Sequence, residues 1–204
     1  MIEKDFITQE MIRDASLKLA EKMYKEDGFF PDIIYDSLRG GAYMANVISE
    51  YYKIVGKKIG KSLLYAAVVA RSYGSVREHS NHVDIDGWTV SPESLDKNSK
   101  VLVVDDIFDT GMTVNELVNS LTGVGLKREN IKVAVYDYKI YHYKKDEKLP
   151  IQPDYYSRRH DIYKPEDSKW IHYTMHEFIG LTDEEIDKLY DDEDVKRILK
   201  EILS

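Results

Sequence analysis

The chain has no cysteine among its 204 residues, which excludes disulfides, thiol nucleophiles and Cys-ligated zinc in any compartment. No apolar run approaches the ~18 residues that suggest a membrane span, and the opening MIEKDF lacks the basic-then-apolar order of a secretion signal. A cytosolic (cytoplasmic) protein with no membrane partner is therefore expected. Excess positive charge is missing too. With 29 Lys and Arg against 37 Asp and Glu, the net charge is −8, which opposes nonspecific attraction to nucleic acid or anionic lipid. The 11 glycines and 5 prolines are scattered, with no repeat or low-complexity tract to support a fibrous, solenoid or disordered chain. What remains is 43% apolar, enough for one substantial core and a single domain over residues 1–204. Any anionic ligand must be met by a local pocket of oxygen and nitrogen groups.

Residues 8–26 place Met11, Ile12, Ala15, Leu19 and Met23 at helical spacing behind Thr8, a candidate N-cap. PDIIY (31–35) predicts a short buried strand and AYMANVISEYY (42–52) a helix, with Arg39-Gly40-Gly41 between them. SLLYAAVVA (62–70) is a further apolar run, and residues 71–100 are expected to form a long polar loop. VLVVDD (101–106) and IKVAVY (131–136) predict strands, with a helix from about Thr113 to Leu121 between them. Alternating strands and helices imply an α/β fold, a mostly parallel sheet with helices on both faces. From Thr182, TDEE forms a capping box with Glu185 and opens an amphipathic helical tail, whose apolar face is expected to pack on its own domain.

The chemistry concentrates in VLVVDDIFDTGMT (101–113). Ligands of open α/β sheets bind at the carboxyl ends of strands, and a helix N-terminus favours phosphate through free N–H groups and its dipole. A phosphate is therefore expected over residues 109–113. Gly111 permits positive φ and close backbone approach, and the Thr110 and Thr113 hydroxyls add donors. Asp105 and Asp106 would repel that phosphate, so sugar hydroxyls or a hard, oxygen-liganded cation are their expected targets.

This stretch resembles the PRPP loop of the type I phosphoribosyltransferases: apolar strand, two acids, two mostly apolar residues, then Asp-Thr-Gly-x-Thr. The resemblance implies a parallel-sheet core over about residues 28–140, a small hood over about 141–180 and a C-terminal helical tail over 181–204. It implies that Asp105 and Asp106 bind the ribose hydroxyls of 5-phosphoribosyl-1-pyrophosphate (PRPP), directly or through Mg²⁺. Asp109, Thr110, Gly111, Met112 and Thr113 would hold the 5′-phosphate. Leu38, Arg39 and Gly40 correspond to a pyrophosphate loop, with a non-proline cis peptide expected at Leu38-Arg39. Arg71, Ser72 and Tyr73 match the start of a lid that folds over the leaving pyrophosphate.

Lys139, followed some thirty residues later by Trp170-Ile171, is the order found in 6-oxopurine members. Lysine donates to an oxygen at C6 and cannot accept from an adenine amino group. Ile107 would flank the base, Trp170 stack on it, and the Ile171 backbone read its far edge. Glu177 is the expected second metal contact, beside Asp105 and Asp106. HYTMHE (172–177) departs from the Pro-Trp-acid ending of xanthine-guanine-type members, which leaves the preferred purine open. The resemblance implies transfer of the phosphoribosyl group to a purine base in purine salvage, yielding a nucleoside monophosphate and pyrophosphate, with Asp109 as the catalytic group. It also implies a homodimer or homotetramer. Two other readings stand beside it: an adenine or pyrimidine transferase, and a regulator that senses PRPP or a nucleotide without turnover. The pairs His79/His82 and His172/His176 are not HExxH, and no third ligand accompanies either.

Overall fold

Four consecutive valine and leucine residues, Val101 to Val104, have no exposed surface. Such a two-faced apolar strand needs helices on both sides. The computed structural model, which describes residues 3–72, 83–144 and 149–204 with Arg71 and Ser72 as backbone alone, supplies them.

The strands and helices run β1 (Lys4–Ile7), α1 (Gln9–Lys25), β2 (Ile33–Leu38), α2 (Ala42–Ile59), β3 (Leu64–Ser72), β4 (Val83–Trp88), β5 (Val101–Phe108), α3 (Met112–Gly123), β6 (Ile131–Tyr141), β7 (Tyr155–Ile162), β8 (Trp170–Tyr173), α4 (Asp183–Leu189) and α5 (Glu193–Leu203). Six strands form one sheet in the order β4-β3-β2-β5-β6-β7, parallel throughout except for β4. Alternate strand residues point to opposite faces. Ile33, Tyr35, Val101, Val103, Ile131, Val133 and Val135 pack with Val114, Leu117, Val118 and Leu121 of α3. On β2 and β5 also lies α2, which buries Met44, Ala45, Ile48 and Tyr52. The Tyr52 hydroxyl donates to the Phe29 carbonyl at 3.0 Å, satisfying the one polar atom of that ring inside the core.

The chain forms two compact units: residues 12–168, which contain the six-stranded sheet, and residues 1–11 with 169–204. In the second, β1 pairs in parallel with β8, Lys4 opposite Trp170. There Leu181, Ile186 and Leu199 form a small core, and Thr182 and Glu185 close the expected capping box.

Residues 141–168 belong with the six-stranded sheet and residues 169–180 with the terminal unit. Helix α2 runs seven residues beyond Tyr52, to Ile59. Part of the expected polar loop is strand β4, which runs antiparallel to β3. Neither β1 nor β7 was expected, and β7 follows from its pairing along β6.

Candidate active site

Strands β2 and β5 lie side by side at the centre of the sheet, yet the strands that follow them, β3 and β6, lie on opposite sides. That reversal opens a crevice at their carboxyl ends, the place where open α/β sheets take ligands. Two loops meet there. A Cβ on Gly40 would lie 2.3 Å from the Asp106 carboxylate, and one on Gly41 would lie 2.5 Å from the Val104 carbonyl oxygen. Both glycines are needed for the Arg39-Gly40-Gly41 turn to lie flush against the acids of β5. The preceding Leu38-Arg39 peptide is cis, as expected, and the Arg39 side chain is exposed.

Beyond β5, Gly111 caps α3 with φ of +81° and no capping side chain. A Cβ there would lie 2.1 Å from the Phe108 ring, so glycine is required by space as well as by backbone conformation. Buried Asn115 fixes the first turn of α3. Its amide donates to the Gly111 and Ile151 carbonyls, both at 3.0 Å, and its oxygen accepts from the Ile151 N–H at 3.1 Å. That N-terminus, whose Met112 N–H is accepted by the Thr110 hydroxyl at 3.4 Å, is thus held beside Asp109, Thr110 and Thr113, with its dipole directed at the loop.

The acids differ in setting. Asp105 is buried, accepts the Asp106 N–H at 3.0 Å and bonds the Ser37 hydroxyl. Burial first, and the neighbouring Asp106 charge second, push its carboxyl well above the usual range. Asp36, one strand over, is buried as well. Its Oδ2 accepts from the Tyr65 hydroxyl at 2.9 Å, while Oδ1 has no hydrogen-bond partner among the described residues. Burial raises it to about 6, against the Tyr65 hydrogen bond that holds it down. Adjacent carboxylates, Asp105 buried and Asp106 partly exposed, offer only oxygen ligands, a chemistry that fits a hard cation. No group of three or more His, Asp or Glu side chains that could hold a metal ion is found among the described residues.

Lys139, buried near the carboxyl end of β6, extends its ammonium to 3.3 Å from Asp109 Oδ2. Tyr141, two residues on, donates its phenol O–H to Asp109 Oδ1. Thus the structure brings together Leu38, Arg39, Gly40, Asp105, Asp106, Ile107, Asp109 to Thr113 and Lys139 within the larger unit. Tyr73 lies outside the described residues, and Arg71 and Ser72 end β3.

Trp170, Ile171 and Glu177 belong to the terminal unit. There the Trp170 ring is half exposed, Ile171 is buried, and Glu177 Oε2 accepts the Tyr173 N–H at 3.0 Å. A groove of about 650 Å³ between α1 and α2, lined by Leu17, Tyr24, Val47, Tyr51 and Ile54, contains none of the candidate residues.

Sequence reasoning missed Asp36 and Tyr141. The acid within β2, three residues before Arg39-Gly40-Gly41, was a visible signal for the first. Nothing local marked the second.

The phosphoribosyl transferase domain family matches residues 7–168. No curated protein matches the chain by sequence. Among solved structures, a purine phosphoribosyltransferase from Pyrococcus horikoshii Ot3 superposes with a TM-score of 0.64 at 23% identity, covering 89% of this chain and 99% of that one. A hypothetical protein from Neisseria gonorrhoeae with bound ppGpp gives 0.63 at 20% identity, over 99% and 98% of the two chains. The Helicobacter pylori xanthine-guanine-hypoxanthine phosphoribosyltransferase gives 0.58 at 16%, over 86% and 93%. At these identities the likeness is one of fold.

Proposed function

The chain belongs to the phosphoribosyl transferase domain family, and from that premise we propose that it transfers the 5-phosphoribosyl group of PRPP to N9 of a 6-oxopurine, releasing pyrophosphate, in cytoplasmic purine salvage. The observation that carries this reading is buried Lys139, whose ammonium lies beside the Asp109 carboxylate at the phosphate loop. A buried ammonium has three donors and no acceptor. It complements an oxygen at C6 and leaves unpaired donors against an amino group, a mismatch worth about 1–3 kcal/mol.

In this reading the N-terminus of α3, with Asp109 to Thr113, receives the 5′-phosphate. Asp105 and Asp106 take the ribose hydroxyls and would hold Mg²⁺, with Glu177 as a further proposed metal contact. Mg²⁺, when bound, would neutralise charge on the pyrophosphate. Leu38, Arg39 and Gly40 receive the pyrophosphate, with Arg71, Ser72 and Tyr73 proposed to close over it. Ile107 flanks the base, Trp170 is proposed to stack on it and Ile171 to read its edge.

The C1–oxygen bond to pyrophosphate breaks as the N9–C1 bond forms, with positive charge developing on the ribosyl ring. The proton leaving the purine passes to the Asp109 carboxylate as general base. Donors of the Arg39-Gly40 turn would stabilise its developing charge. A homodimer or homotetramer is proposed from the resemblance.

The test is nucleotide formation from PRPP and Mg²⁺ with guanine, hypoxanthine, xanthine and adenine supplied separately. Turnover of 6-oxopurines that is lost in Lys139→Met supports the reading, and turnover of adenine alone overturns it. A second reading, a nucleotide-sensing regulator, is favoured by the ppGpp bound to the Neisseria gonorrhoeae neighbour. Tight ppGpp binding with no product from any base would select it.

A further inference from the structure

Tyr141 enters none of the roles above, yet it makes the closest polar contact to Asp109. The two residues are 32 apart in sequence and come from different strand ends. Asp109 opens the loop after β5, and Tyr141 is the last residue of β6. The two Asp109 oxygens are divided between two donors, Oδ1 to the Tyr141 phenol and Oδ2 to the Lys139 ammonium. A carboxylate on the three-residue, glycine-containing turn between β5 and α3 would otherwise rotate about its χ angles. Two donors from one rigid strand fix its plane and leave one lone pair on each oxygen for an incoming proton.

The phenol is itself held. The Ser168 hydroxyl bonds the same Tyr141 oxygen, Tyr143 meets the ring edge-on with centroids 5.8 Å apart, and the Lys144 ammonium lies 5.4 Å from the ring centroid. Burial, then the Asp109 hydrogen bond and charge, push the phenol well above an ordinary tyrosine, against the Ser168 bond that lowers it. It is therefore protonated, and a donor, at neutral pH.

We propose that Tyr141 is a positioning residue for Asp109, orienting its carboxylate jointly with Lys139 so that the oxygens face the purine proton. This rests on the transferase reading for its consequence in turnover, but the contact itself does not.

The test uses Tyr141→Phe, which keeps the ring and removes only the hydroxyl. Its kcat with a 6-oxopurine is expected to fall on the order of 10- to 100-fold, the scale of a misplaced catalytic group. KM for PRPP should stay unchanged. In an Asp109→Asn background, adding Tyr141→Phe should cost nothing further, because the group being oriented is gone. Full activity of the single variant, or the same loss in both backgrounds, overturns the proposal.

The second arm needs no turnover. With tyrosine labelled at Cζ, the NMR titration of Tyr141, assigned by its disappearance in Tyr141→Phe, should move to lower pH in Asp109→Asn. An unmoved titration shows that the two groups do not interact and sinks the proposal even in an active enzyme. Absence of product from all four bases in the wild type would refute the transferase reading, and the labelled-tyrosine result would still decide the contact.

Discussion

Replacing Asp36 by asparagine should make the free protein more stable at neutral pH and leave it unchanged near pH 4. The carboxyl is buried within β2, keeps one hydrogen bond from Tyr65 and has an unpartnered second oxygen. Its folded-state value is raised from 3.8 to about 6, so the folded protein binds a proton more tightly than the unfolded chain. The sign follows from linkage. The stability this group contributes is fully present below pH 4, falls as pH rises from about 4 to about 6, and stays lost above. A difference of about two pH units corresponds to about 3 kcal/mol at pH 7. Asparagine keeps the acceptor for Tyr65 and carries no charge, so it should recover up to that amount. For a chain of this size that is a rise in melting temperature of roughly 6–12 °C.

Thermal or urea unfolding of both proteins, without PRPP or metal, at pH 4, 5, 6 and 7 gives the difference directly, because every other titrating group cancels. An equal difference at pH 4 and pH 7 would refute the reasoning, since it would show that Asp36 is not being charged against its surroundings. A destabilised variant at pH 7 would do the same.

Asp109→Asn should lower kcat by roughly 10²- to 10⁴-fold, the usual contribution of a general base, with the fold intact by circular dichroism; steady-state kinetics checks it. Gly40→Ala sets a methyl group 2.3 Å from the Asp106 carboxylate, so the acid must turn away. Calorimetric titration with PRPP and Mg²⁺ should show at least a tenfold weaker Kd at an unchanged melting temperature, and unaltered affinity would remove Asp106 from the ribose and metal role.

The strand, loop and helix over residues 101–123 were legible because each signal is local. An apolar run, paired acids and a glycine turn lie within a few residues, and the structure reproduces them with φ of +81° at Gly111. The capping box at Thr182 and the cis peptide at Leu38 were readable for the same reason. Elements stabilised across strands were not. YYSRRHDI looks like solvent-facing loop, yet it is β7. Arg158 lies 2.9 Å and His160 2.6 Å from the fully buried Asp137 of β6, so the polar side chains of β7 pair with an acid that lies elsewhere in sequence. The four residues of β1 carry no period long enough to detect, and their pairing depends on β8. Helix α2 was underestimated because Lys57, Lys58 and Gly56 dilute its apolar pattern, although Gly56 is buried where a Cβ would lie 2.5 Å from the Lys61 carbonyl oxygen. Tyr141 escaped notice because no sequence window contains both it and Asp109.

The pairing of Lys4 with Trp170 also sets an order of events during synthesis. Contacts that close long loops form late, after local ones have been made. Strand β1 must wait, unpaired, until all six strands of the larger sheet have been translated. A nascent chain halted near residue 168 would carry every strand of that sheet with β1 still lacking its partner. Such a four-residue edge offers a short landing place for chaperones, and proteolysis of halted chains should cut first at residues 4–7.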